Sequence, residues 1–177
     1  MVGLSVGVKC GLCCAEGSFM LKTRVLPLLF VLALVGAACG GSESVSDDST
    51  RDDSGTIVEG GDVGVFVLEV GDCFDDGSGT EIASVAAVPC NEPHDNEVVD
   101  KFELDGGDWP GLEEVQMQSL LGCLDRFEAA VGEPYETSPL DIGPLYPTEE
   151  GWKQGDHEVI CVVFNVDFTK LENSVLA

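Results

Sequence analysis

Between Gly71 and Val99 the chain reads GDCFDDGSGTEIASVAAVPCNEPHDNEVV, and most of its chemically capable residues gather there. His94 stands among Glu92, Asp95 and Glu97. Imidazole nitrogen and carboxylate oxygen together suit a hard or borderline cation. The spacing, however, fits no zinc or calcium loop, and Asp75-Asp76-Gly77-Ser78 is not an EF-hand. The favoured reading is structural: Pro93 and Asp95 shape a turn, and the imidazole bonds nearby backbone. No metal and no cofactor is therefore expected. A cation-binding surface sensor is an alternative that needs several oxygens converging with His94.

Catalytic constellations are equally weak. Carboxylate pairs for glycoside hydrolysis can be drawn from so many acids that the pattern carries no information. The chain has no G-x-S-x-G, no P-loop, and no free cysteine set beside a histidine. No catalytic residue is assigned, and the expectation is a protein that is not an enzyme, with an enzyme acting on cell-wall polymer as the alternative. Trp109 and Trp152 flank loops and are candidates for a ligand surface, although burial beside disulfides is the commoner use of such rings. The candidate binding surface is thus His94, Asp95, Glu97, Trp109 and Trp152, with the Asn91–Glu97 loop as its exposed part.

Charge narrows the partners. The 177 residues carry a formal charge of −25, and all but one of the 33 acidic residues lie after Cys39. Five basic residues oppose them there: Arg51, Lys101, Arg126, Lys153 and Lys170. Such a surface repels phosphate backbones, so nucleic acid is excluded as a partner class. Solubility outside the cell accounts for the excess.

The N-terminal part reads as delivery. Val25–Ala38, VLPLLFVLALVGAA, follows Lys22 and Arg24; it is short for a membrane span and suits the core of a signal peptide. It ends in Gly36-Ala37-Ala38-Cys39, which resembles the bacterial lipobox, with Gly36 in place of the usual aliphatic residue. Cys39 is then the lipid-bearing first residue, and its acyl chains place the protein on the outer face of the cytoplasmic membrane. Residues 1–19 lengthen the leader beyond need, which points to Met20 as the true start. The C-x-x-C spacing of Cys10 and Cys13 lacks the second pair or βαβ context of a metal or redox site. From 39 to 61 the composition is Gly, Ser and acidic residues, a flexible tether.

Residues 62–177 read as one small domain. Val63–Val70 is β-branched and aromatic, a strand. Ile82–Val88 is a second, stopped by Pro89. In Glu97–Leu104, the residues Val98, Phe102 and Leu104 partly alternate with polar ones, as in a half-exposed strand. Leu112–Val131 has helical periodicity, with Leu120, Cys123, Leu124, Phe127 and Val131 on one face and Gly132 as its cap. Residues 133–156 read as a long irregular connection, and His157–Phe168 as the strongest strand of the second half.

Export predicts disulfides, and the domain holds four cysteines, Cys73, Cys90, Cys123 and Cys161. Three pairings are open. A helix-face Cys123 and a strand Cys161 favour one bond clamping helix to sheet, leaving Cys73 with Cys90. In a straight hairpin Cys73 and Cys90 would lie at opposite ends, so this pairing requires the first segment to bend after Gly71 or not to pair directly with the second.

GDCF (Gly71–Phe74), VPC-x-EPHDNEVV (Val88–Val99), the WPG turn before the Cys123 helix, and W-x-x-GD-x-x-V-x-C (Trp152–Cys161) together resemble the septum-formation domain of actinobacterial envelope proteins. The resemblance, carried by four such pieces in order, covers about residues 64–170. His157 departs from the arginine common after Gly-Asp. The resemblance implies a secreted or membrane-attached domain associated by name with cell division and septum formation, and it implies no known catalytic mechanism. The expectation is an α+β domain: a small, mostly antiparallel sheet with one main helix, stapled by two disulfides. Its role is a non-catalytic binding or scaffolding module of a cell-envelope lipoprotein, with the membrane and an envelope or division protein as partners.

Overall fold

The computed structural model describes residues 47–77 and 82–177. The leader, Met20, and Cys39 of the lipobox lie outside the described residues. Two sheets form. The smaller is a hairpin of β1 (Thr50–Arg51) and β2 (Ile57–Glu59). The larger has six strands: β3 (Gly61–Gly64), β4 (Cys73–Asp75), β5 (Ser84–Val88), β6 (Asn96–Glu103), β7 (Leu140–Leu145) and β8 (Glu158–Asn165). Their order is β3-β5-β4-β6-β8-β7, antiparallel at every step. Helix α1 (Leu112–Val131) covers one face, and a short α2 (Glu149–Gln154) follows β7. The expected α+β class is what the chain adopts.

The interior strand β8, between β6 and β7, explains the layering. Val159, Cys161 and Val163 face the α1 side, while Ile160 and Val162 face the other. Both faces are covered, so the strand is a continuous apolar run. Beside it, β6 carries a bulge between Val98 and Asp100. Val98 therefore belongs to the core beneath the hairpin, while Val99 and Leu104, with Phe102 against them, belong to the core beneath α1. The expected single face of Val98, Phe102 and Leu104 is corrected: an extra residue reverses the alternation after Val98.

Other boundaries also move. The tether expected to run to residue 61 ends earlier: Asp47 bridges to Val63, and Ile57 is 3% exposed. Ile57 supplies the apolar contact, and Arg51 clasps Asp72 with two parallel bonds of 2.7 and 2.8 Å. The strand expected over Val63–Val70 stops at Gly64, where a 3-10 turn (Val65–Val67) begins. That turn lets the chain leave one side of β5 and return as β4 on the other. Gly71, at φ +92°, makes the second bend, a conformation open to glycine.

Cys73 then pairs across from Val88, and Cys90 lies two residues further along the same face. Their Cα atoms are 5.2 Å apart and the bond is formed. Cys123 of α1 is joined to Cys161 of β8 at a Cα separation of 5.4 Å. The favoured pairing is the one present. The helix spans the expected residues, but its buried face is Val115, Ser119, Cys123 and Phe127; Leu120 is exposed. Residues 133–156 are not irregular throughout. Pro144 lacks an amide donor and is accommodated because β7 is an edge strand.

Candidate functional site

The Asn91–Glu97 segment is less of a surface than its polarity suggests. His94 and Glu97 are both fully buried, and Asn96 nearly so. The physical reason is the C-terminal segment. His94 and Leu171 exchange both backbone bonds, at 3.0 and 2.8 Å, which lays residues after Thr169 over the loop. The proposed exposed surface is therefore corrected to Asn91, Glu92 and Pro93, with Asp95 half-buried.

Within that cover the imidazole of His94 donates from Nδ1 to the Glu92 carbonyl at 2.7 Å. Its Nε2 has no hydrogen-bond partner among the described residues. Glu97 lies beside it and accepts from the Ser174 hydroxyl and from the Val175 amide, each at 2.6 Å. One ligand-type atom each of Cys73, His94 and Glu97 lies within 4.8 Å of the others, the spacing of a metal cluster. The donor set does not fit one, because the Cys73 sulfur is bonded to Cys90, which leaves only His94 and Glu97 of this group as donors. These groups fasten the tail to the sheet.

Asp95 completes the region. It accepts from the Asp76 amide at 2.9 Å and pairs with Lys170 at 2.9 Å. Burial pushes its carboxyl up, but the Asp76 amide and the Lys170 ammonium outweigh that and hold it below the ordinary value of 3.8.

The two tryptophans sit at the opposite end of β6. Trp152 is 5% exposed and meets Trp109 edge to face at 5.5 Å and His157 at 4.4 Å. Its indole donates to the Gly107 carbonyl at 2.9 Å. Both rings pack on the cluster that contains Cys123 and Cys161. The candidate surface residues thus fall into two separate, largely buried groups.

The accessible concavity is elsewhere, and sequence reading missed it. Val65, just past edge strand β3, and Leu145, at the end of the opposite edge strand β7, pack against the same core cluster. The sheet therefore curls on the face away from α1, and a groove of about 590 Å³ lies where its two edges approach. Phe66 and Ile82 form one wall, exposed by 60% and 46%. Pro144, Leu145 and Tyr146 form the other, and Ile160 is the floor. Gln116 of α1 donates to the Tyr146 hydroxyl at 2.6 Å and fixes that ring. The signal was available in part: Phe66 and Ile82 stood in apolar runs, but only tertiary curl shows that they remain uncovered.

The rim is acidic: Glu150, Asp156 and Glu158. Glu158 is paired with Lys101 at 3.1 Å, and Lys101 also donates to the Leu68 carbonyl. The remaining basic residues of the described chain are occupied too. Arg51 holds Asp47 and Asp72, Arg126 faces Asp100, Lys153 pairs with Glu149, and Lys170 with Asp75 and Asp95. No salt bridge engages Glu150 or Asp156 among the described residues. A smaller hollow of about 200 Å³ lies between Asp95 and the stacked rings of Phe164 and Phe168.

Among the described residues no helix is long and apolar enough to cross a membrane. No match was found among curated proteins or solved structures. The family model for septum formation matches residues 38–175, which takes in both disulfides, the curled sheet and the groove. With more than half of its length matched, the chain belongs to the septum-formation family.

Proposed function

We propose that this protein is a lipid-anchored module of the cell envelope that serves septum formation by binding a partner protein, without catalysis of its own. The observation that carries the reading is the apolar groove between Phe66 and Tyr146. Exposed aromatic and aliphatic side chains around a concave floor are the usual marks of a protein-docking surface. Two disulfides and the clasped tail give that groove a stiff frame, which lowers the ordering cost of association. The lipobox at Cys39 supplies the attachment, and the acidic surface keeps the domain off anionic lipid.

The test is a photo-reactive phenylalanine analogue at position 66 in the full-length, tagged protein, with imaging of its distribution. The expected result is enrichment at the division site and a crosslink to a division or envelope protein. A uniform distribution with no crosslink overturns the reading. Mass spectrometry of the mature N-terminus tests the anchor separately, and an unmodified residue there removes it.

A further inference from the structure

We infer that the groove takes an extended protein segment whose apolar side chains are flanked by lysine or arginine; the inference rests on the groove being the docking surface. Three observations converge on that chemistry. The floor and walls are apolar, with Ile160 beneath and Phe66 facing Tyr146, so the occupant must bring apolar side chains of its own. The rim carries Glu150, Asp156 and Glu158, and among the described residues no basic side chain lines the groove. Among the described residues every lysine and arginine is already held by a carboxylate, one of them (Lys101) by Glu158 of the rim, and no salt bridge engages Glu150 or Asp156.

Lys101 shows what the rim wants. Its ammonium is bound by Glu158 and by the Leu68 carbonyl, leaving Glu150 and Asp156 for an incoming cation. An acidic or phosphate-bearing ligand would meet Glu150 and Asp156, which no described cation pairs, and a strongly negative domain, and like charges at an interface are costly. A neutral glycan would leave Phe66, Ile82 and Ile160 without apolar cover. The groove is lined from two sheet edges and open to solvent, which suits a chain laid in it more than a compact molecule enclosed by it.

The probe is a labelled, acetylated and amidated octapeptide alternating Lys with Leu and Pro. Its counterparts carry Glu for each Lys or Ser for each Leu. Binding to the intact disulfide-bonded domain is followed by anisotropy and by NMR shifts of Phe66, Tyr146 and Ile160. The Lys–Leu peptide is expected to bind at least tenfold more tightly than either counterpart. Phe66→Ser and the Glu150→Gln/Asp156→Asn pair should each weaken it at least fivefold. Raising salt from about 50 to about 300 mM should weaken it as well. Both sites are exposed or half-buried, and an unchanged circular dichroism spectrum shows that the variants are folded.

Equal binding of the Glu peptide, or shifts that map away from the groove, overturns the inference. The two readings also separate in the cell. If Phe66→Ser abolishes the position-66 partner complex while Glu150→Gln/Asp156→Asn leaves it intact, the docking surface stands and the basic-segment chemistry falls. If neither change affects the complex, both fall.

Discussion

Glu97, wholly buried on β6, accepts the amide of Val175 at 2.6 Å across 78 residues of sequence. Together with the Ser174 hydroxyl on its other oxygen, this makes one carboxylate the anchor of the C-terminal segment. Hydrogen bonds to a charged group contribute about 1.5–3 kcal/mol, and a buried donor left unpaired costs a similar amount. Glu97→Ala should therefore release residues 169–177 and lower stability by about 3 kcal/mol. The check is hydrogen exchange: the amides of Leu171 and Val175 should lose protection in the variant while those of β8 keep theirs. Unchanged protection at Val175 would contradict the anchor. Glu97→Gln, which still accepts from the amide, should show a smaller loss.

Arg51 and Asp72 form the other long-range clasp. Asp72 is 2% exposed and takes both guanidinium nitrogens, as well as the Glu69 amide. Removing the cation leaves a buried carboxylate without its partner, a loss of about 3–5 kcal/mol. Arg51→Ala should cost that much in urea unfolding. Arg51→Ala combined with Asp72→Ala should cost clearly less than the two single changes added together. Strict additivity would show that the pair contributes nothing as a pair.

Much of the frame was legible because local signals agreed with tertiary fate. Leu112–Val131 was readable as a helix from period and from Gly132, whose αL conformation closes it. The disulfides followed from one placement, Cys123 on a helix face and Cys161 on a strand. Three features were not legible for nameable reasons. The bulge after Val98 inserts a residue without a sequence mark, so the faces of β6 could not be assigned. Pro144 argued against a strand, and only its place at the sheet edge permits one. The tether composition around Arg51 looked disordered because its stabilising partner, Asp72, lies 21 residues away. The site was the least legible of all. A groove made by edges that are distant in sequence has no local pattern, whereas His94 and Glu97, which do form a local pattern, are spent on holding the tail.

Asp95 gives the acid response a defined direction. Its carboxyl is held below the ordinary value of 3.8: burial raises it, and the Asp76 amide and Lys170 more than offset that. The folded protein thus binds this proton less readily than the unfolded chain does. The stabilisation is fully present above about pH 4 and is lost as pH falls through the folded value. Asp47, held low by the Ser49 hydroxyl and Arg51, acts in the same direction. Melting temperature followed from pH 6 down to pH 2 should fall more steeply in the parent than in Asp95→Asn. Parallel curves would show that Asp95 takes no part in the acid loss.

Gly122 offers the sharpest test of packing, because two general rules oppose each other there. An interior helical glycine replaced by alanine gains about 1 kcal/mol from propensity. At this position a methyl would overlap the ring of Phe102 on β6. That ring is not free to swing away, since the Arg126 guanidinium lies over it at 4.0 Å. Overpacking a fixed contact costs about 1–3 kcal/mol, so the clash wins. Gly122→Ala should lower the urea midpoint despite its better helix propensity. Shrinking the neighbour reverses the sign: in a Phe102→Leu background, which is itself destabilised, the same Gly122→Ala change should become neutral or stabilising. A stabilising Gly122→Ala with Phe102 in place would mean that α1 and β6 do not approach as closely as the structure shows.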